Sequence, residues 1–291
     1  MLKYFIMLNI FISSLSINAK TIIFDLHGVL LDRCPTKTGY HIGYLNYASY
    51  SVSSATRGFS LEQRCQDFLM TLEQHELKDA KFKDQPLPKI IGQWLRGEKT
   101  ADELVKEINS CVDKSKDFFK SELEEKMIRS VIDLMLPDNL AFVVKPVNDM
   151  VRLVQECKMQ KDRDGKPKHN LLILSNWDKE SFPLIKKNCK KLFKHFDEKN
   201  IVISSEVKLL KPETEIFQHV IKKFNLDPKD CIFIDDQKEN TKAAEGARIA
   251  DVIQHRNYED TRQKLIDLKV IDDKSNKLKI KTKISFKNLF E

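Results

Sequence analysis

Five short runs dense in apolar, largely β-branched positions recur along the chain: Thr21 to Leu26, Leu171 to Leu174, Ile201 to Ser204, Cys231 to Ile234 and Asp251 to Gln254. Runs this short, without polar alternation, predict strands buried on both faces of a sheet. Between the later runs the pattern changes to a helical period. Val147, Met150, Val151 and Val154 follow Pro146, and Ile216, Phe217, Val220, Ile221 and Phe224 follow Pro212, each proline standing where a helix is expected to start. Strand and helix alternate, which predicts an α/β fold with a parallel sheet.

Residues 35–145 carry helix signals and almost no strand signal. Ser60 to Gln63 and Thr100 to Glu103 have the capping-box pattern, in which a hydroxyl and an acid or amide three residues on satisfy the first free amides of a helix. The first opens a face of Leu61, Cys65, Phe68, Leu69 and Leu72, the second a face of Leu104, Val105, Ile108 and Val112, and Ser121 to Leu136 supplies a further helix. This block reads as a helical cap inserted into a core made of residues 20–34 and 146–270. Trp94 and the cluster Tyr40, Tyr44, Tyr47 and Tyr50 read as packing residues rather than a ligand cage.

The first nineteen residues stand apart. Lys3, an apolar run from Tyr4 to Leu15 and then Ser16 to Ala19 follow the order of a secretory signal cleaved after Ala19, which implies export to a periplasmic or extracellular space; an uncleaved chain would stay cytoplasmic. The run is too short for a stable membrane span after processing. At the other end, Lys277 to Lys287 alternates lysines with Leu278, Ile280, Ile284 and Phe286 in a basic tail over 271–291, the pattern of a short, charge-protected edge strand. Lys158 to Lys168, charged around Gly165 and Pro167, reads as a solvated loop.

Composition narrows the function. The chain is 41% hydrophobic and 32% charged over 291 residues, enough for a full α/β core and a second, smaller unit. Although the net charge is +7, the 43 acidic residues are spread among 50 basic ones, which argues against a nucleic-acid partner. The six cysteines (Cys34, Cys65, Cys111, Cys157, Cys189, Cys231) have neither CxxC nor histidine spacing, so no zinc site is indicated, and export would permit disulfides that the spacing cannot pair.

In an open parallel sheet, ligands bind outside the carboxyl ends of the strands. Reading only those ends gives Asp25, followed by Gly28; Ser175 and Asn176; the loop reaching Lys211; and Asp235 with Asp236. Asp25 can act as a nucleophile if a cation offsets the charge it meets. Adjacent acids such as Asp235 and Asp236 repel unless a cation lies beside them, and Mg²⁺ favours one or two carboxylates with phosphate oxygens and water. Ser175 and Asn176 can donate to an oxyanion. Lys211, placed at a helix start against the dipole, suggests an anionic partner, whereas Lys208 reads as solvated.

These residues, in this order, resemble the four motifs of the haloacid dehalogenase-like hydrolase superfamily. The likeness is strongest from Ser204 to Ala247, in the stretches Glu206-Val-Lys-Leu-Leu-Lys-Pro212 and Phe233-Ile-Asp-Asp-Gln-Lys-Glu-Asn240. The resemblance implies a Rossmann-like doubly wound sheet with an inserted helical cap domain, and a phosphatase-like, Mg²⁺-dependent hydrolase of a small phosphorylated substrate. It further implies that Asp25 attacks phosphorus, that Ser175, Asn176 and Lys211 hold phosphate oxygens, and that Asp25, Asp236 and the backbone carbonyl of His27 bind Mg²⁺ with Asp235 assisting. His27 departs from the pattern, standing where the family's phosphatases usually carry an acid–base aspartate. Histidine can transfer protons near neutral pH, but a nearby metal favours its neutral form. Three expectations follow: His27 substitutes, the enzyme favours good leaving groups, or phosphatase activity is lost. Two alternatives stand beside the phosphatase: a metal-independent carbon–halogen hydrolase, against which the acid pair argues, and a catalytically silent binding protein.

Overall fold

The computed structural model describes residues 19–55, 60–74, 81–82 and 85–273. The expected signal over residues 1–18 and the tail strand from Lys277 lie outside the described residues.

Five strands form one parallel sheet: β1 (Thr21–Phe24), β2 (Asn170–Ser175), β3 (Ile201–Ile203), β4 (Cys231–Asp235) and β5 (Asp251–Gln254). Their spatial order is β3-β2-β1-β4-β5. The order reverses between β1 and β4, which makes the crevice at their carboxyl ends the switch point of a doubly wound sheet.

The pleat sends alternate residues to opposite faces, and each face has its own apolar cluster. Ile22, Phe24, Ile173 and Ile234 join one cluster with Met150, Leu153 and Val154 from the helix Asn148–Met159. Ile23, Leu172 and Phe233 join the other with Ile216, Phe217 and Val220 from the helix Thr214–Lys223. Helices therefore cover both faces, which is why the strands read as continuous apolar runs.

Between Arg33 and Val144 the chain forms seven α-helices among the described residues, from Pro35–Ile42 to Pro137–Val143. It leaves and re-enters through an antiparallel pair, Leu31–Arg33 against Val144–Pro146, and holds a two-residue pairing of Lys81–Phe82 with Gln85–Pro86. The apolar faces expected from the capping patterns are turned inward: Leu104, Ile108 and Val112 are fully buried, and Leu61 and Phe68 nearly so. These residues belong to the same apolar cluster as one sheet face, so the insert packs onto the core rather than around a separate centre.

Several boundaries differ from the sequence reading. Pro146 closes the stem strand instead of opening a helix, which starts at Asn148, and the second helix starts at Thr214, two residues beyond Pro212. β3 stops at Ile203 because Ser204 begins a short helical turn, Ser204–Val207. Only Thr100 and Glu103 complete a reciprocal capping box; Ser60 accepts from the Gln63 amide, but the Gln63 side chain turns to Asp67. Of the tyrosines taken as packing residues, only Tyr50 is buried, drawn in where its hydroxyl donates to Glu124, while Tyr40 and Tyr44 are 71% and 53% exposed and Tyr47 is also exposed. All six cysteines are free. No helix among the described residues is long and apolar enough to cross a membrane.

Candidate active site

The backbone at the end of β1 fixes the centre of the crevice. The Asp25 amide continues the ladder by donating to the Ile234 carbonyl at 2.9 Å, which seats Asp25 beside the end of β4. The chain then turns sharply, with the amides of Leu30 and Leu31 donating to the Leu26 carbonyl and the amide of Gly28 donating to Leu31. Gly28 has φ +83°, and a Cβ there would come within 2.4 Å of Asp236 Oδ2. A side chain at position 28 would displace the Asp236 carboxylate; glycine meets both the dihedral and the close approach.

Three carboxylates meet at this point. Asp25, Asp235 and Asp236 offer oxygens that all lie within 4.8 Å of one another. Lys211 Nζ sits 2.8 Å from Asp25 Oδ1 and 2.6 Å from Asp235 Oδ2, and all three of these side chains are buried. Burial alone would lower the lysine pKa, but the carboxylates of Asp235 and Asp25 outweigh it and hold the ammonium above its usual value. Three acids share one cation. Burial, then repulsion from Asp25 and Asp235, pushes the Asp236 carboxyl up to about 7.

The structure also brings Ser175 to the crevice end of β2, where its hydroxyl is buried without a hydrogen-bond partner. Asp236 Oδ1 is likewise buried and unpartnered. Both of the Asp235 oxygens are engaged, with Lys211, the Gln237 amide and the Asn240 side chain. Asp235 therefore anchors the lysine, and the unpartnered carboxylate oxygen belongs to Asp236.

Two readings of the sequence are corrected. The Asn176 side chain is not presented to a ligand, because its amide donates to the Lys211 carbonyl at 2.9 Å while its oxygen accepts from the Lys211 amide at 2.8 Å. It is a clamp on the lysine loop. Lys211 does not face a helix dipole: the helix begins three residues later, and its ammonium points at carboxylates. His27 is exposed, its ring 6.3 Å from that of Trp177. Lys208 is exposed in the left-handed region, ending the turn Ser204–Val207.

Sequence reasoning gave no role to Asn240 or to the close approach of Gly28 and Asp236. The only signal for Asn240 was its position one helical turn beyond the acid pair. Elsewhere, a cavity of about 570 Å³ in the insert is lined by Lys89, Lys99, Glu107 and Cys111, among others, and contains none of these residues. Two of its three lysines, Lys89 and Lys99, are paired with Glu73 and Glu107.

Carboxylates gather around a buried lysine at the switch point of a doubly wound α/β sheet, the place where such sheets bind their ligands. The sequence matches the haloacid dehalogenase-like hydrolase family model over residues 19–248, and the chain belongs to that family of hydrolases. A comparison with curated proteins found no match. Among solved structures, an Asp-to-Ala mutant of a HAD family enzyme from Bacteroides thetaiotaomicron, in complex with magnesium and inorganic phosphate, is 21% identical with a TM-score of 0.50 over 82% of this chain and 95% of that one. A predicted HAD-like family hydrolase from Porphyromonas gingivalis is 15% identical, TM-score 0.48, over 85% and 98%. The L-2-haloacid dehalogenase of Xanthobacter autotrophicus with chloropropionic acid covalently bound is 13% identical, TM-score 0.45, over 86% and 83%. At 21% identity the likeness to the Bacteroides enzyme concerns the fold.

Proposed function

We propose that the chain is a Mg²⁺-dependent phosphatase that hydrolyses a small phosphate ester through an aspartyl-phosphate at Asp25. The observation that carries this reading is the unequal charge of the crevice: with its three acids ionised, one ammonium leaves two negative charges in excess, beside an unpartnered oxygen of Asp236. A divalent cation would balance that excess, and an all-oxygen donor set suits a hard ion. Asp25 and Asp236 would hold it; magnesium is the ion in the Bacteroides enzyme's complex. When bound, it supplies charge neutralisation for an anionic substrate beside the carboxylates.

The chain's own residues account for the remaining steps. Lys211 draws negative charge from Asp25 and neutralises a phosphate oxygen, and the free hydroxyl of Ser175 donates to another. An Asp25 oxygen forms a bond to phosphorus as the ester P–O bond breaks, and the leaving oxygen takes a proton from His27. Water then attacks the phosphorus, gives a proton back to His27 and releases Asp25 and inorganic phosphate. Residues 35–145 act as the cap that closes over the crevice and excludes water, with 20–34 and 146–270 as the core. Export with cleavage after Ala19 completes the reading.

The test is a panel of phosphate esters assayed with and without Mg²⁺, using the wild type and Asp25→Asn. Folded Asp25→Asn is expected to lose activity by at least about 10³-fold, the scale of removing a nucleophile. Undiminished hydrolysis in that variant, or equal turnover of an organohalide without metal, would refute the proposal.

A further inference from the structure

A second structure bears on the lysine, and it comes from the insert. Arg96 follows the helix Lys89–Leu95 and forms an ion pair through Nη2 with Glu213 Oε1 in the lysine loop. The other Glu213 oxygen accepts from the Leu210 amide at 2.8 Å, and the Glu213 amide donates to the Leu210 carbonyl at 2.8 Å. Lys211 therefore lies inside a turn closed at both ends by Glu213.

The backbone on each side of Arg96 is seated on the core. Ser204 Oγ donates to the Leu95 carbonyl at 2.6 Å and accepts from the Trp177 amide at 2.9 Å. Gly97 has φ +70°, and a Cβ there would lie 2.7 Å from the Ser205 carbonyl oxygen. Further along, the Ala101 amide donates to Glu180 at 2.6 Å. With both neighbours held, Arg96 has a fixed origin from which to reach Glu213. Its Nε is buried with no hydrogen-bond partner among the described residues, so the guanidinium acts through this one carboxylate.

We infer that Arg96 is a positioning residue for Lys211. Seating of the insert on Ser204 and Ser205 delivers Arg96 to Glu213, which fixes the turn that aims the lysine at Asp25 and Asp235. Asn176 holds the same lysine from the core side, so its backbone is gripped from two directions, one of which exists only while the insert is in place. The catalytic consequence rests on the phosphatase reading; the coupling of insert to loop does not.

The experiment compares wild type, Arg96→Ala, Arg96→Lys and Glu213→Gln. Steady-state hydrolysis of an aryl phosphate with Mg²⁺ is measured alongside amide hydrogen exchange at Leu210. Arg96→Ala is expected to lower kcat about 10- to 100-fold with KM little changed, the scale of misplacing a catalytic group by an ångström. Arg96→Lys should recover part of that loss. Leu210 should exchange faster in Arg96→Ala while the amides of β4 keep their protection. Wild-type kcat with wild-type exchange at Leu210 would overturn the inference, and so would a rise in KM at constant kcat, which would place Arg96 on the substrate. If the wild type turns over no phosphate ester, the phosphatase reading fails, and exchange at Leu210 alone decides the coupling. Should Arg96→Ala fail to fold, Glu213→Gln carries the same readouts.

Discussion

Two buried ion clusters among the described residues are built on opposite terms. In the insert, Arg64 Nε donates to Glu124 at 2.6 Å and its Nη2 donates to the Phe118 carbonyl at 2.8 Å, with the guanidinium 4.2 Å from the centroid of the Phe118 ring. Glu124 also accepts from the Tyr50 hydroxyl and the Lys120 amide. In the crevice, Lys211 faces two acids with a third beside them, and Ser175 Oγ and Asp236 Oδ1 have no partner. The titration shifts have opposite signs. Burial would raise the Glu124 carboxyl, but its hydrogen bonds and Arg64 outweigh it and hold it low, whereas Asp236 is pushed up to about 7. A buried charge fully answered by its own chain is a joint. One left in excess is a place prepared for a visitor.

That contrast can be broken by experiment, beginning with the joint. Arg64→Met leaves Glu124 buried without its cation and should cost about 3–5 kcal/mol of stability in urea unfolding, the scale of breaking a buried pair. Hydrolysis at temperatures where the variant stays folded should persist. A loss under about 1 kcal/mol would show that the insert's pair is as expendable as a surface one.

The opposite sign is expected in the crevice. Asp236 has a folded pKa near 7 against an unfolded value near 4, so folding holds its proton more tightly. Its charged form therefore penalises the fold, with no penalty below the unfolded value and the full penalty above the folded one. In metal-free buffer at pH 8, Asp236→Asn should be more stable than wild type by about 1–2 kcal/mol, with the difference vanishing near pH 4. Thermal unfolding across that range checks it; a destabilised variant at pH 8 would place Asp236 with Glu124 as a satisfied acid.

His169 supplies a third, milder case. Its Nδ1 accepts from the Lys20 amide at 3.2 Å and its Nε2 bonds to the Val270 carbonyl at 3.0 Å, which fixes a neutral ring at the junction of both ends of the described chain. Burial, then Lys168, holds its pKa below the usual value. Its contribution is complete above about pH 6.5 and is lost as pH falls toward the folded pKa, because the unfolded chain takes up the proton first. His169→Gln should flatten the stability profile between pH 6.5 and pH 5 by about 1 kcal/mol or less; an unchanged slope would remove His169 from the set.

The two clusters also differ in how far they could be read from residues alone. Asp25, Asp235 and Asp236 end apolar runs, and a run fixes both the strand and the place where it stops, so their convergence followed from the rule for parallel sheets. Asn176 was legible as a strand-end amide, but which partner its two atoms took depends on how closely the loop at Lys211 approaches. Arg64 and Arg96 look like any helix arginine in sequence, because their partners Glu124 and Glu213 lie far along the chain. The tyrosines near residue 45 mislead for a related reason: aromatic spacing is the same on a covered face as on an open one.

The two strands Leu31–Arg33 and Val144–Pro146 bring the beginning and end of a long excursion to adjacent positions. Closing a flexible loop becomes only slowly harder as it lengthens, so a stem of this kind lets the segment above it grow, shrink or be exchanged with little entropic demand on the sheet below. What an exchanged segment must still reproduce is the seam from Leu95 to Ala101 and the apolar face that Pro137–Val143 packs on the helix Ser181–Asn188. Grafting another helical segment onto this stem is therefore a question of matching the faces that meet the core rather than the whole excursion.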